Sequence, residues 1–575
     1  MSKKHIKTFI IAILSSFCSV PTTAQDMKVE TLANDNFIIR ITPDTKEQYL
    51  ILPIEESAPE SQVKVIADNM QVRQLNIHLA QNKIDYFVPF NLKEFSGKHL
   101  VLFMHAHIDH SNRSAGSEIF LKNMSLSDTF DISNREKFRP DYHHTPAYGW
   151  MNDPNGMFYK DGEWHLYYQF GPYGSMWNNM TWGHSVSKDL VHWERRKPVL
   201  SPNAHGTIFS GSCIVDKNNT AGFGKDAVIA MYTSAGEVQS QSIAYSLDNG
   251  NTFHVYEGNP VLTADIIDFR DPNMFWNENI RKWNLIISAG QEMRIYSSPD
   301  MKHWTEESRF GKNLGCHDGV WECPDLMKLK VETGKTKGQE KWVLICNTNP
   351  GGPAGGSATQ YFIGNFDGHK FTVDNESRYN GKALWQDYGK DHYATVSFSN
   401  APDERHTMLA WMSNWQYANN VPTMQYRSSN SIAREPFLYE GKDYSDSKDP
   451  SATALFLGNR PSPEYDSREL DRRLNIKGSC KIVLSNDEGE EFVITYDEKA
   501  MTLTVDRSKS GLTDFSKDFN VPATAPVHKK LTSMRIFIDN SSVEVFGNNG
   551  EVCLTSLVFP QSKYKNVAVN KLKLP

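Results

Sequence analysis

Three short segments of this chain hold carboxylates in settings suited to breaking a bond between sugars. They are Trp150-Met151-Asn152-Asp153-Pro154-Asn155-Gly156, Phe269-Arg270-Asp271-Pro272 and Trp321-Glu322-Cys323-Pro324-Asp325. Each sets a carboxylate within two residues of a proline and near an aromatic side chain. Two carboxylates facing each other across a glycosidic bond are the minimum equipment for cleaving it, and a retaining site holds them about 5–5.5 Å apart. A third carboxylate can steady the cationic sugar that forms. The attacking group must stay ionised and so wants hydrogen-bond donors, whereas the proton donor wants a drier place or a nearby negative charge. Asp153 lies in a donor-rich turn sequence beside Asn152 and Asn155-Gly156. Glu322 has Trp321 and Cys323-Pro324 for neighbours, apolar company that favours the protonated acid. Arg270 precedes Asp271 and is expected to keep it charged. Asp-Pro and Asn-Gly are common turn dipeptides, so each motif alone reads as a turn. The three together, in this order and in a Trp-rich stretch, point to a site.

The elements that must position these residues read as all-β. Amphipathic helical periodicity is scarce. Short alternating or apolar runs such as Trp164–Phe170, Ala227–Thr233, Trp283–Ser288 and Lys341–Asn347 are separated by Gly, Asn, Asp and Pro. An irregular echo runs through the middle of the chain. A strand, a Ser-x-Asp turn and then Trp or Phe recur at Ser187-Lys188-Asp189, Ser246-Leu247-Asp248 and Ser298-Pro299-Asp300. A supersecondary unit repeated at roughly 50–60 residues fits propeller blades. Residues 26–130 lack the acidic motifs and read as an N-terminal β-sandwich-like domain, with Ser125–Lys137 as a linker. Residues 139–440 carry all the motifs, and residues 450–575 alternate well enough for a second sandwich.

Composition narrows the partners. The 575 residues hold 61 Lys and Arg against 68 Asp and Glu, a net charge of −7, which gives no reason to expect nucleic acid. Residues 1–25 resemble a secretory signal: Lys3, Lys4 and Lys7, then an apolar run from Phe9 to Val20, then Thr22-Thr23-Ala24 before Gln25. A lipoprotein anchor at Cys18 is the lesser alternative, because bulky Phe17 precedes the cysteine. No later segment is apolar for the ~20 residues a helical span needs, so no transmembrane segment is expected in the mature, periplasmic or secreted protein. The six remaining cysteines show no CxxC pair and no zinc spacing, and are expected to be mostly free and buried, with a Cys316–Cys323 disulfide left open.

Through these motifs the sequence resembles glycoside hydrolase family 32, which holds invertases, inulinases, levanases and other β-fructosidases. The signatures WMNDPNG, RDP and ECPD stand intact. Trp182-Gly183-His184, Phe209-Ser210-Gly211-Ser212, Asp387-Tyr388-Gly389-Lys390-Asp391 and Trp411-Met412-Ser413-Asn414-Trp415 add to the likeness. It runs from about residue 139 to the C-terminus and leaves the first 100 or so residues outside. The resemblance implies a five-bladed β-propeller followed by a C-terminal β-sandwich. It implies Asp153 as nucleophile, Glu322 as general acid/base and Asp271 as transition-state stabiliser. It places Asn152, Gln169, Trp177, Phe209, Ser210, Arg270 and Trp411 around the terminal fructose. A carbohydrate substrate follows, and no cofactor.

Two histidine pairs compete for attention. His143 and His144 suggest a metal, but no further ligands complete a set and none is expected. His317-Asp318 reads as a local hydrogen-bond pair rather than a substrate contact. The expected activity is release of β-D-fructose from fructans, and possibly sucrose, by an exported enzyme acting with retention. Exo attack is expected because a propeller funnel suits chain ends. A fructosyltransferase using the same intermediate and a fructan-binding protein without activity stand as alternatives. The order of preference among levan, inulin and sucrose, the role of the N-terminal domain and the oligomeric state are left open.

Overall fold

The computed structural model describes residues 26–42, 46–108, 119–133, 136–444, 451–467 and 470–571. The signal expected over residues 1–25, and the alternative at Cys18, lie outside them. The chain divides into two compact units: residues 1–134 with 172–179, and residues 135–171 with 180–575.

In the first unit a five-stranded sheet has the order Met27–Thr31, Asn36–Ile41, Leu100–His105, Ser61–Ala67, Met70–Ile77. A three-stranded sheet has Tyr49–Ile54 between Tyr86–Asn91 and Ser125–Ser127. Ser61–Ala67 alternates buried and exposed side chains as a half-covered strand must. Phe37, Ile39, Val63, Val65, Leu102 and Phe90 meet in one core. Ser125–Ser127 pairs with Tyr49–Ile51. The chain is therefore still in this sheet where a linker was expected to begin.

In the second unit the described residues from Gly149 to Pro461 form five antiparallel sheets, the blades of a propeller. Their first strands are Gly149–Lys160, Thr207–Asp216, Phe269–Asn277, Val320–Lys330 and Tyr393–Ser397. Each first strand packs on the next, and the fifth returns to the first. Closure is reinforced where Tyr426–Arg427 pairs in parallel with Gly149–Trp150. Interior strands such as Ala227–Ala235 are buried on both faces, which is why they read as continuous apolar runs rather than alternation. Apolar side chains fill the space between blades: Phe158, Trp182 and Tyr232 between the first and second, for example, and Met327, Tyr361 and Leu438 between the fourth and fifth. The three echoes recur at one place in three blades, between third and fourth strands. Ser187, Ser246 and Ser298 each donate from Oγ to the aspartate two residues on.

Residues 471–571 add a sandwich of a four-stranded and a five-stranded sheet. Strand Glu491–Asp497 alternates half-buried and buried positions, and Phe492, Ile494, Tyr496, Ile536 and Val545 share its core. A buried ionic seam joins propeller and sandwich. Arg434 pairs with Asp387 at 2.8 Å and with Glu544; Arg507 pairs with Asp391. The Asp387–Asp391 segment thus serves this seam. His143 lies between Asp539 and Glu544, 2.8 Å from each, with all three side chains fully buried. Burial opposes its charge, but the two carboxylates outweigh that and hold its pKa at about 9. His143 is therefore a bridging cation.

Because that pKa is raised above the ordinary value, the stabilisation is complete below about pH 6.5 and is lost as pH rises through about 9. His143→Ala leaves buried Asp539 without its cation and Glu544 with Arg434 alone, and should cost about 3–5 kcal/mol. Thermal melts of the two proteins at pH 6 check this; equal melting temperatures would refute the bridge.

Candidate active site

The three acidic motifs are not turns. They lie within the first strands of blades one, three and four. In each, the pairing with the second strand slips by a residue where the motif falls: between Met151 and Pro154, between Arg270 and Asn273, and between Glu322 and Asp325. Blades two and five slip at the equivalent places, around Phe209-Ser210 and Ala394-Thr395. A bulge bends its strand and re-aims a side chain. Five equivalent bulges aim five short segments at one place around the ring. Proline fits there because a bulge releases ladder hydrogen bonds that proline cannot make. Asp271 and Cys323 adopt left-handed φ of 65° and 43°, a strain of about 1–3 kcal/mol each that surrounding packing must hold. Gly156 ends the first motif at φ +57°, where an added Cβ would lie 2.6 Å from the Trp182 ring.

The bulges bring the carboxylates together. Asp153 accepts from Asn152 Nδ2 at 3.0 Å and from Ser210 Oγ at 2.8 Å. Cys323 Sγ lies 3.4 Å from Asp153 Oδ2 and 3.5 Å from Asp271 Oδ2, and the Cys323 N–H donates to Asp271 Oδ2 at 2.9 Å. Arg270 donates to Glu322 Oε1 from Nε at 3.2 Å and Nη2 at 3.0 Å, and Nη1 reaches Asp268. Tyr393 donates its hydroxyl to Glu322 Oε2. Asp153, Arg270, Phe209 and Glu322 are half-buried, so the cluster opens to solvent.

This geometry corrects two expectations. Glu322 does not sit in apolar company: its two oxygens are taken by Arg270 and Tyr393. Arg270, in turn, does not settle the charge of Asp271, from which its Nε is 4.0 Å away. Burial first, then the charges of Glu322 and Asp153, push Asp271 up to about 7 against the pull of Arg270. Burial and Glu322 also raise Asp153. The Cys323 thiol and Tyr393 hydroxyl are driven well up, chiefly by burial, so both remain neutral donors.

A raised carboxylate works against the fold as it ionises. Whatever stability Asp271 contributes is present below its ordinary pKa and is lost as pH rises through about 7. Asp271→Asn should therefore raise the melting temperature at pH 8, by about 0.5–2 kcal/mol of stability, with a smaller gain at pH 5. A variant that melts lower than the parent at pH 8 would overturn this assignment.

The other predicted residues divide. Asn152 is braced by Trp150 Nε1 at 2.8 Å, and buried Gln169 donates to Asn155 at 2.9 Å. The Phe209 carbonyl accepts from Trp182 Nε1 at 3.0 Å. Trp411 is 0 % exposed and packs against Trp150, Trp415 and Tyr393. In that place it backs the site rather than facing solvent. Trp177 belongs to the 172–179 segment of the first unit and is 42 % exposed. His317 donates locally from Nε2, which lies 3.0 Å from the carbonyls of Gly311 and Leu314. Among the described residues all six cysteines are free, five of them buried, and Cys316 and Cys323 are not joined. Sequence reasoning missed Tyr393, Cys323 as a shared donor, and Thr233, whose Oγ1 accepts from the Asp271 N–H at 3.0 Å. Only the short distance from Tyr393 to the Asp387–Asp391 segment hinted at any of them.

The glycosyl hydrolases family 32 N-terminal domain matches residues 143–446, more than half of the chain, and the C-terminal domain of that family matches 457–572. Residues 33–142 match a domain of unknown function. A levanase of Bacillus subtilis is 44 % identical over 465 residues, 75 % of this chain and 68 % of that protein. The crystal structure of exo-inulinase from Aspergillus awamori superposes with a TM-score of 0.68 at 34 % identity, covering 77 % of this chain and 97 % of that one. The β-fructofuranosidase of Schwanniomyces occidentalis complexed with fructosyl-erythritol gives 0.66 at 30 %, covering 78 % and 97 %. The chain belongs to glycosyl hydrolase family 32, and the protein is a glycoside hydrolase.

Proposed function

We propose that this protein is an exported β-fructosidase that releases β-D-fructose from the ends of levan or inulin, and from sucrose, with retention of configuration. The observation that carries the reading is the meeting of Asp153, Asp271 and Glu322 on equivalent bulges. Cys323 touches the first two, and Arg270 is bonded to the third. Asp153 attacks the anomeric carbon while Glu322 gives its proton to the departing oxygen. A fructosyl ester on Asp153 results. Glu322 then takes a proton from water as the water displaces Asp153. Once Glu322 holds a proton, its charge no longer opposes ionisation of Asp153, and the three donors on Asp153 favour the carboxylate. Asp271 and Arg270 hold fructosyl hydroxyls by hydrogen bonds that strengthen as positive charge develops. Asn152, Gln169, Phe209 and Ser210 complete the pocket for the terminal sugar, with Trp177 as an aromatic face for its C–H groups. Trp411 contributes as packing behind Trp150 and Tyr393. The names of the relatives, levanase, exo-inulinase and β-fructofuranosidase, support the substrate class.

The test is a time course of products from levan, inulin and sucrose. Fructose alone from the earliest points is expected. A ladder of oligosaccharides from levan or inulin would mean internal attack, and products longer than the substrate would mean transfer.

A further inference from the structure

One buried amide links the bulge of blade four to the bulge of blade five. Asn347 stands in Glu340–Asn349, opposite Glu322 in the first strand and Thr359 in the third. Val343, Leu344, Ile345 and Cys346 before it are buried and apolar, and Asn347 is itself 0 % exposed. A polar side chain in such a place costs stability unless its atoms are bonded, and these are. Nδ2 donates to the Cys323 carbonyl at 2.8 Å. Oδ1 accepts from the Thr395 N–H at 3.1 Å and from Thr359 Oγ1 at 2.6 Å. The two backbone groups it holds occupy matching positions. Cys323 follows Glu322 and Ala394 follows Tyr393, and both are left-handed, at φ 43° and 54°. The Cys323 carbonyl and the Thr395 N–H belong to the peptide units directly after those two residues. Such backbone persists only where its surroundings hold it. Asn347 thus clamps the unfavoured turn beside Glu322 to the unfavoured turn beside Tyr393, whose hydroxyl donates to Glu322 Oε2.

We propose that Asn347, supported by Thr359, is a positioning residue for proton transfer: it sets the distance between Glu322 and Tyr393, and so the speed of the first step. This rests on the reading above that Glu322 is the acid. As Glu322 gives up its proton it becomes a carboxylate, and the Tyr393 hydroxyl then bonds to a charged oxygen. Such bonds are about twice as strong as bonds between neutral groups. An interaction that strengthens along the step lowers its barrier, whereas one equally strong at both ends does not. Without the clamp Tyr393 draws back and that gain is forfeited. The loss should be about tenfold in kcat/KM, the worth of one hydrogen bond to a charged group. It should appear only where the leaving oxygen needs the proton.

The experiment measures kcat/KM for sucrose and for a fructoside with a strongly acidic leaving group, beside a thermal melt of each variant. The variants are Asn347→Leu, Thr359→Val, Tyr393→Phe, Asn347→Leu/Tyr393→Phe and Glu322→Ala. Thr359→Val removes one hydroxyl and keeps the shape, so it decides the matter should Asn347→Leu not fold. Asn347→Leu should lose about tenfold on sucrose and stay within about twofold of the parent on the activated fructoside. Thr359→Val should show the same split at about threefold. The double variant should be no slower on sucrose than Tyr393→Phe alone. Equal losses on the two substrates, no loss on sucrose in the folded clamp variants, additive losses in the double variant, or failure of both clamp variants to fold would overturn the proposal. Glu322→Ala separates it from the reading it rests on. A split between substrates there, beside none in the clamp variants, would remove the clamp and leave the acid standing. Equal losses in Glu322→Ala would remove the acid, and the proposal with it.

Discussion

Replacing Asp153 with alanine should lower kcat by roughly 10⁵-fold or more, the scale seen when a covalent catalyst loses its nucleophile, while the protein stays folded. The site explains both halves of that expectation. Asp153 is the carboxylate that three donors on three blades converge upon: Asn152 from the first, Ser210 from the second and Cys323 from the fourth. No neighbour can take its place, because Asp271 is held by the Cys323 N–H and Glu322 by Arg270 and Tyr393. The fold should survive because burial and Glu322 already raise Asp153, so the ionised side chain is not an asset to stability. The check is initial-rate kinetics beside a thermal melt. A variant that keeps even a tenth of the parent rate would take the nucleophile's role from Asp153.

The second large effect belongs to Glu322. Glu322→Ala should cost about 10²–10⁴-fold on substrates whose leaving group needs a proton, the usual contribution of a positioned acid. With a fructoside that carries a strongly acidic leaving group the first step should be nearly restored, because that oxygen departs without help. The second step should stay slow, since water then lacks its base. The split between leaving groups separates lost chemistry from lost structure, as a collapsed pocket would depress both substrates alike. Equal losses on the two would count against Glu322 as the proton donor.

Much of this was legible in the sequence, for a local reason. Each motif is continuous, and the Ser-x-Asp echoes repeat because the first three blades make the same turn between their third and fourth strands. The sandwich strands were legible too: Cys480–Ser485 and Glu491–Asp497 alternate, since one face meets the core. The bulges were not legible as bulges. Proline, asparagine and glycine favour turns and bulges through the same backbone preferences, and only pairing with a second strand separates the two. The partners of Glu322 were hidden for another reason. Arg270 is 52 residues away and Tyr393 is 71. Their convergence is a property of the closed ring, which no local window contains. The fifth blade lacks the echo altogether: its strands are spread from Tyr393 to Pro461 with the seam residues Asp391 and Arg434 at their ends. Nor could the sequence tell that the loop with Trp177 folds with the N-terminal unit, since Asn76 and Tyr86, which bond to its Asn179 and Ser175, lie about a hundred residues upstream.

The central claim is a fructosyl ester on Asp153, and Glu322→Ala offers a way to catch it. With a good leaving group the ester forms quickly, and without the base it breaks down slowly, so it should accumulate. The enzyme is quenched in acid within the first turnover, digested, and its peptides weighed. The peptide containing Asp153 should carry one added fructosyl group, and the same peptide from Asp153→Asn/Glu322→Ala should not. A label on the Asp271 peptide, or no label while fructose of inverted configuration is released, would contradict the account.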